Sequence, residues 1–214
     1  MGFGVVKLAM AALICAGLAG CAPQGAAKRD PFNSPLRKDY VQLITISDRL
    51  VEVDSAGKKV RVSAPEGLCI PTQSIQTFRD SVFMVVDGCR GALSPFGGVV
   101  SINVANGPLA ADLAAMEAHF RTVEGQVGLG YGGDEEDVSL IDLSRADGAL
   151  YALVQDMSEF GPAFAGDEIC RVFMELNGRM VVATLMSRRN EGKSAEELRA
   201  EAAKIVTALR KANA

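Results

Sequence analysis

The dipeptide Asn177-Gly178 constrains this chain more than any other pair of residues. It stands between two apolar runs, Ile169 to Leu176 and Met180 to Met186. A two-residue hairpin loop of type I′ needs positive φ at both central positions, and Asn-Gly is the pair that adopts this with least strain. The turn then sets the pairing, with Leu176 opposite Arg179, Met174 opposite Val181 and Val172 opposite Ala183. Both alternating sets of the hairpin are largely apolar, with Val172, Met174 and Leu176 in one and Phe173 in the other. Burial on both faces is therefore expected, and other elements must cover each face.

The same signals recur upstream. Residues 40 to 53 are rich in Val, Leu and Ile and begin the fold, with Leu50 to Val53 and Val60 to Val62 joined through Ser55-Ala56-Gly57-Lys58 as a first hairpin. Pro71 to Arg79 reads as a short helix. Ser81 to Val86 is a nearly unbroken apolar run suited to a central strand, and Val99 to Val104 is the next. Pro108 then opens a helix whose apolar stripe is Leu109, Leu113, Met116, Phe120 and Val123, ending near Gly125. Val138 to Leu143 and Ala149 to Met157 form a further pair, turned at Asp147-Gly148. After the Asn-Gly hairpin, Ser194 and Glu197 make a capping box for a last helix with Leu198, Ala202, Ile205, Val206 and Leu209 on its buried side. The sum is an α+β domain, a largely antiparallel sheet whose faces are covered by two long helices and the amino-terminal segment.

With 214 residues, 49% of them apolar and 22% charged, the chain can bury one sizeable core without a metal. Its formal charge is −4. A nucleic-acid partner demands a basic face, so none is expected.

The first residues place the chain in a compartment. Lys7 is followed by an apolar run from Leu8 to Gly20 and then by Cys21. A short positive start, an apolar centre and small residues before the cut are the parts of a secretory signal. Thirteen residues lie between Lys7 and Cys21, short of the roughly 20 that span hydrocarbon. Leu18, Ala19, Gly20 and Cys21 resemble the lipobox of bacterial lipoproteins. The resemblance implies removal of residues 1–20, lipidation of Cys21 through its sulfur and acylation of its amine, so that several acyl chains hold the protein in a membrane. It also implies the periplasmic side of the cell envelope, and Ala22, where a retention signal would place Asp, favours the outer membrane. Residues 21–39, with Pro23, Pro31 and Pro35 among polar and small residues, read as a tether to a globular domain spanning 40–214.

Several motifs match chemistry on paper and fail on context. Ser55-x-x-Lys58 has the spacing of a penicillin-binding nucleophile pair, but it lies in a turn rather than at a helix start, and no Lys-Thr-Gly follows. Gly128-x-Gly130-x-x-Gly133 has the dinucleotide spacing, yet a helix precedes it and Asp134 to Asp137 follow, which repel phosphate. Those four acidic residues lack the alternating ligand positions of a calcium loop. His119 is the only histidine and lies one position off its helix stripe, so it reads as a boundary residue. No catalytic residue, cofactor or metal site is expected. Phe160 and Phe164, in the Gly-rich crossing before the hairpin, either cap the core, the commoner role, or line a pocket with the Gly-rich loops.

Five cysteines divide unevenly. Cys15 leaves with the leader and Cys21 carries lipid, which leaves Cys69, Cys89 and Cys170 with three possible pairings in an oxidising compartment. Cys69 with Cys89 is favoured, because both end strand candidates beside glycine and the loop between them is short. Cys170 is then a buried apolar residue; a Cys170–His119 nucleophile pair has no local support.

The order of elements, with Asn177-Gly178-Arg179-Met180-Val181-Val182 feeding a C-terminal amphipathic helix, resembles the fold of the photosystem II extrinsic protein PsbP and its relatives, an α/β/α sandwich. The stretch Ala64-Pro65-Glu66-Gly67-x-Cys69 is similar to one found in small alphaproteobacterial envelope proteins. Neither resemblance implies an activity. Three functions stay open: an accessory lipoprotein of an envelope assembly, which is preferred, a periplasmic binder of small ligands, and an enzyme.

Overall fold

A computed structural model of the chain describes residues 41–89, 94–132, 134–159 and 161–214. The signal segment, Cys21 and the tether lie outside the described residues, as do Gly133 and Phe160.

The turns organise the strands. Strand β1 (Val41–Ser47) pairs with β2 (Leu50–Ser55), and β2 with β3 (Lys58–Ser63), in a three-stranded antiparallel sheet. An eight-stranded antiparallel sheet holds β4 (Leu68–Cys69), β5 (Gln76–Thr77), β6 (Ser81–Gly88), β7 (Gly98–Ala105), β8 (Val138–Ala146), β9 (Ala149–Asp156), β10 (Ala165–Leu176) and β11 (Arg179–Arg188). Its order is β4-β6-β7-β11-β10-β9-β8, with β5 also on β6. The β10–β11 hairpin is thus central, and its register is the one the Asn-Gly turn dictates, Leu176 on Arg179, Met174 on Val181 and Val172 on Ala183. Asn177 and Gly178 have φ of 51° and 71°. Ala56-Gly57 and Asp147-Gly148 repeat the pattern, with φ of 50° and 76°, and of 50° and 65°.

One face of the large sheet is closed by two layers side by side. Helix α3 (Ala195–Ala212) buries Leu198, Ala202, Ile205, Val206 and Leu209 against Val172, Met174, Val181 and Ala183. The three-stranded sheet adds Val51, Val53, Val60 and Val62 to the same core. Arg179, itself buried, joins the two sheets by donating to the Ser55 carbonyl at 2.5 Å. Asn213, just past α3, accepts from the Arg61 N–H at 2.8 Å and donates to the Arg61 carbonyl at 2.7 Å, and Asn177 donates to the Lys59 carbonyl. These amides stand in for a neighbouring strand and blunt the β3 edge.

The second face departs from expectation. The single helix expected from Pro108 to Gly125 is two short ones, α1 (Leu113–Phe120) and α2 (Val123–Val127). The side chains dictate the break: Asp112 caps α1 by accepting from the Ala115 N–H, and the Thr122 hydroxyl accepts from the Gly125 N–H while donating to the His119 carbonyl. Gly125 then packs against the His119 carbonyl, where a Cβ has no room. These helices lie on β8 and β9, burying Phe120 against Leu150, Ala152 and Val154. Farther across, Phe173 packs on Phe120 with ring centroids 5.0 Å apart yet stays half-buried, as does Val182, so among the described residues the hairpin is sealed fully on one face and only in part on the other.

The short helix expected from Pro71 to Arg79 is a three-residue 3₁₀ turn, Thr72–Ser74, followed by β5. The Ser74 hydroxyl accepts from the Val85 N–H and donates to the Pro71 carbonyl, which holds the segment on the edge of β6 instead of letting it coil further. Cys69 and Cys89 meet beside this edge with Cα atoms 4.9 Å apart, within disulfide range. Cys170 is buried in the main core with a free thiol.

Candidate functional site

Gly128 to Tyr131 leave the end of α2 and cross toward the last residues of β9. Gly130 has no room for a side chain, since a Cβ there would run into Val138 and come within 3.0 Å of an Asp156 oxygen. The close approach lets the Tyr131 N–H donate to Asp156 Oδ2 at 2.6 Å, while Asp156 Oδ1 accepts from the Ser158 N–H at 2.9 Å. Asp156 is a buried carboxylate, and the two backbone donors account for its burial.

Tyr131 is fixed by this loop. Its hydroxyl donates to Met186 Sδ at 2.8 Å, and burial pushes its phenol above the usual range, so it stays protonated. The Arg171 guanidinium lies 5.3 Å from the ring centroid and donates through Nη2 to the Gly130 carbonyl at 3.4 Å. No carboxylate among the described residues forms an ion pair with Arg171, and its Nε is buried without a partner. Burial lowers its pKa from the ordinary arginine value, although the side chain remains a cation.

Two hollows flank the Gly166–Glu168 stretch, where the β10–β11 register shifts. One, of about 360 Å³, lies between Tyr131, Asp156, Gly161, Pro162 and Arg189. The other, of about 540 Å³, lies between Asp167, Glu168, Ser187, Lys193 and Ser194. Gly166, Asp167 and Arg189 border both, so they make one winding groove. Arg189 is held there by donating through its N–H to the Phe164 carbonyl and through Nε to the Ala165 carbonyl. The first hollow lies between the crossing segment and the Gly-rich loop; Phe164, half exposed, neither lines it nor caps the core, and Phe160 lies outside the described residues.

The register defines a second surface beyond Arg171. Val85, Ser101, Thr184 and Arg171 lie side by side across β6, β7, β11 and β10, and the next row is Phe83, Asn103, Val182 and Phe173. On this side the described helices pack on β8 and β9, and Phe83, Val85, Ser101, Asn103 and Val182 remain half-buried. The result is an apolar half-face with one cation at its border.

The other sequence candidates stay apart. Cys170 faces the α3 core while His119 sits on α1 across the sheet, and burial pushes the Cys170 thiol to about 12. Ser55 is buried with its hydroxyl on Asn106, and Lys58 approaches Gly178 instead. Asp134 to Glu136 are exposed, and among the described residues no three His, Cys, Asp or Glu side chains gather around a point that could hold a metal. Arg171, Tyr131 and Asp156 were not singled out by sequence reasoning. The signal for Arg171 is a charge inside the apolar run from Ile169 to Leu176.

No protein-family model matches the chain, and no curated protein matches it.

Proposed function

We propose that this chain is a lipid-anchored protein of the bacterial envelope that acts by binding, as an accessory member of an envelope assembly. Leu18 to Cys21 supply the anchor, and Ala22 favours the outer membrane. The observation that carries the accessory role is strand β1. It follows directly on the tether, its residues carry no charge, and Ile44 and Ile46 are 45% and 51% exposed. Among the described residues its backbone pairs with β2 alone, in contrast to the β3 edge that Asn177 and Asn213 cover. An uncharged open edge is a template for a strand from a partner protein. A tether that ends at this edge brings it to partners at the membrane surface.

The groove beside Tyr131 and the open half-face favour a second reading, a periplasmic binder of small ligands. Affinity capture of the full-length tagged protein from detergent-solubilised membranes separates the two, with Cys21→Ser and Ile44→Lys as controls. A stoichiometric protein partner lost in both controls supports the accessory role. An empty or unchanged prey list refutes it and leaves the ligand reading.

A further inference from the structure

Arg171 is a cation whose surroundings do not neutralise it. Asp156, the carboxylate that acts on it electrostatically, already accepts from two backbone N–H groups and forms no ion pair with it. The Tyr131 ring and one carbonyl solvate the guanidinium, and its Nε has no acceptor among the described residues. A half-buried charge with no counter-ion among the described residues is unfavourable, and a guanidinium fork suits a carboxylate.

The ground beside it is apolar. Phe173 and Val182 lie in the row adjoining Arg171, and Phe83 ends that row two strands farther on. From β10 to β6 the path crosses three strand spacings, roughly 14 Å. Asn103, whose Oδ1 is buried without a donor, is the polar side chain on that path.

We infer that this half-face binds a single-chain carboxylate amphiphile, with the head group on Arg171 and the chain across Phe173, Val182 and Phe83. One guanidinium supplies one charge, which matches a carboxylate better than a dianionic phosphate. Phe173 already packs on Phe120 of α1 with ring centroids 5.0 Å apart, and an apolar chain running on from it covers the half-buried Val182 and Phe83, which lie on strands the described helices do not pack against on this side. The proposal rests on the ligand-binding reading and names its ligand class.

Photo-crosslinking of the full-length protein in its membrane tests it, with a diazirine-bearing decanoic acid and the matching decanol as probes. The acid is expected to label the Ser81–Gly88 and Arg179–Arg188 peptides about tenfold more than the alcohol, since a charge-assisted pair is lost with the alcohol. Arg171→Met is expected to bring the acid down to the level of the alcohol. Val182→Glu, at a half-exposed position, keeps Arg171 and is expected to reduce acid labelling several-fold, so the test stands even if Arg171→Met fails to accumulate. Equal labelling by acid and alcohol in the native chain, or an unchanged ratio in Arg171→Met, overturns the head-group assignment while ligand binding itself survives. Labelling of neither peptide by either probe overturns the proposal outright.

Discussion

At Gly130 a single hydrogen atom in place of a side chain decides where a tyrosine stands. The backbone there passes so close to Val138 and Asp156 that only glycine fits, and the same approach delivers the Tyr131 N–H to the Asp156 carboxylate. Gly130→Ala forces Val138 or the loop to move, and overpacking of this kind costs about 1–3 kcal/mol. Its thermal midpoint is expected to fall by several degrees, with loss of the Tyr131 near-ultraviolet signal; an unchanged melt and spectrum would contradict the role given to this glycine. Arg171 illustrates why the site was hard to read from the chain. A lone arginine in a strand is a common surface residue, and its weight here comes from which half of the sheet the described helices leave uncovered. That is a long-range property, invisible at residues 169–176 alone.

Among the elements, the three hairpins were the most legible. Positive φ at two consecutive positions is so restrictive that Ala56-Gly57, Asp147-Gly148 and Asn177-Gly178 announce themselves, and the Asn-Gly register is the one the turn requires. Helix α3 was equally clear, because its stripe and its capping box agree. The break between α1 and α2 was hidden, since the spacing of Leu113, Met116 and Phe120 continues to Val123 while Thr122 caps a new start. Periodicity reports a face, and a hydroxyl competing for the backbone interrupts it without changing the pattern. Val123 is consequently exposed rather than part of the stripe. Ser194→Ala removes the α3 cap that accepts from the Glu197 N–H and should cost about 1 kcal/mol, read as a shift of the denaturant midpoint at constant slope. A change within error would mean that Glu197 alone holds the helix start.

For the molecule as a whole, a disulfide and a set of hydrogen-bonded carboxylates add stability beyond the core. Cys69 and Cys89 tie β4 to the end of β6, and closing a 20-residue separation stabilises by about 3 kcal/mol in the chain-entropy account. Cys69→Ser is therefore expected to lower the unfolding free energy by roughly that amount, and a loss under about 0.5 kcal/mol would show the bridge to be dispensable. Acid acts through carboxylates. Hydrogen bonds from Lys59 and then Arg61 hold the Glu52 carboxyl below its ordinary range, the Ser194 backbone and hydroxyl do so for Glu197, and Arg121 for Glu117. Each is depressed in the folded state, so its contribution is present above the unfolded value near 4.3 and is lost as pH falls through the folded pKa. The melting temperature should stay level from about pH 7 to 5 and drop below about pH 4, less steeply in Glu52→Gln; a drop unchanged by that substitution would exclude Glu52 as a contributor.

The proposed anchor holds this body on a membrane by one residue, Cys21, and the intact mass of protein extracted from membranes examines that directly. The mass should equal that of a chain starting at Cys21 with a diacylglyceryl group and an amide-linked acyl chain, less two hydrogens for the Cys69–Cys89 bridge. Alkylation should add one group, at Cys170, and only after unfolding. A chain that retains residues 1–20 or lacks acyl mass would contradict the anchor, and with it the placement of the β1 edge at a membrane surface.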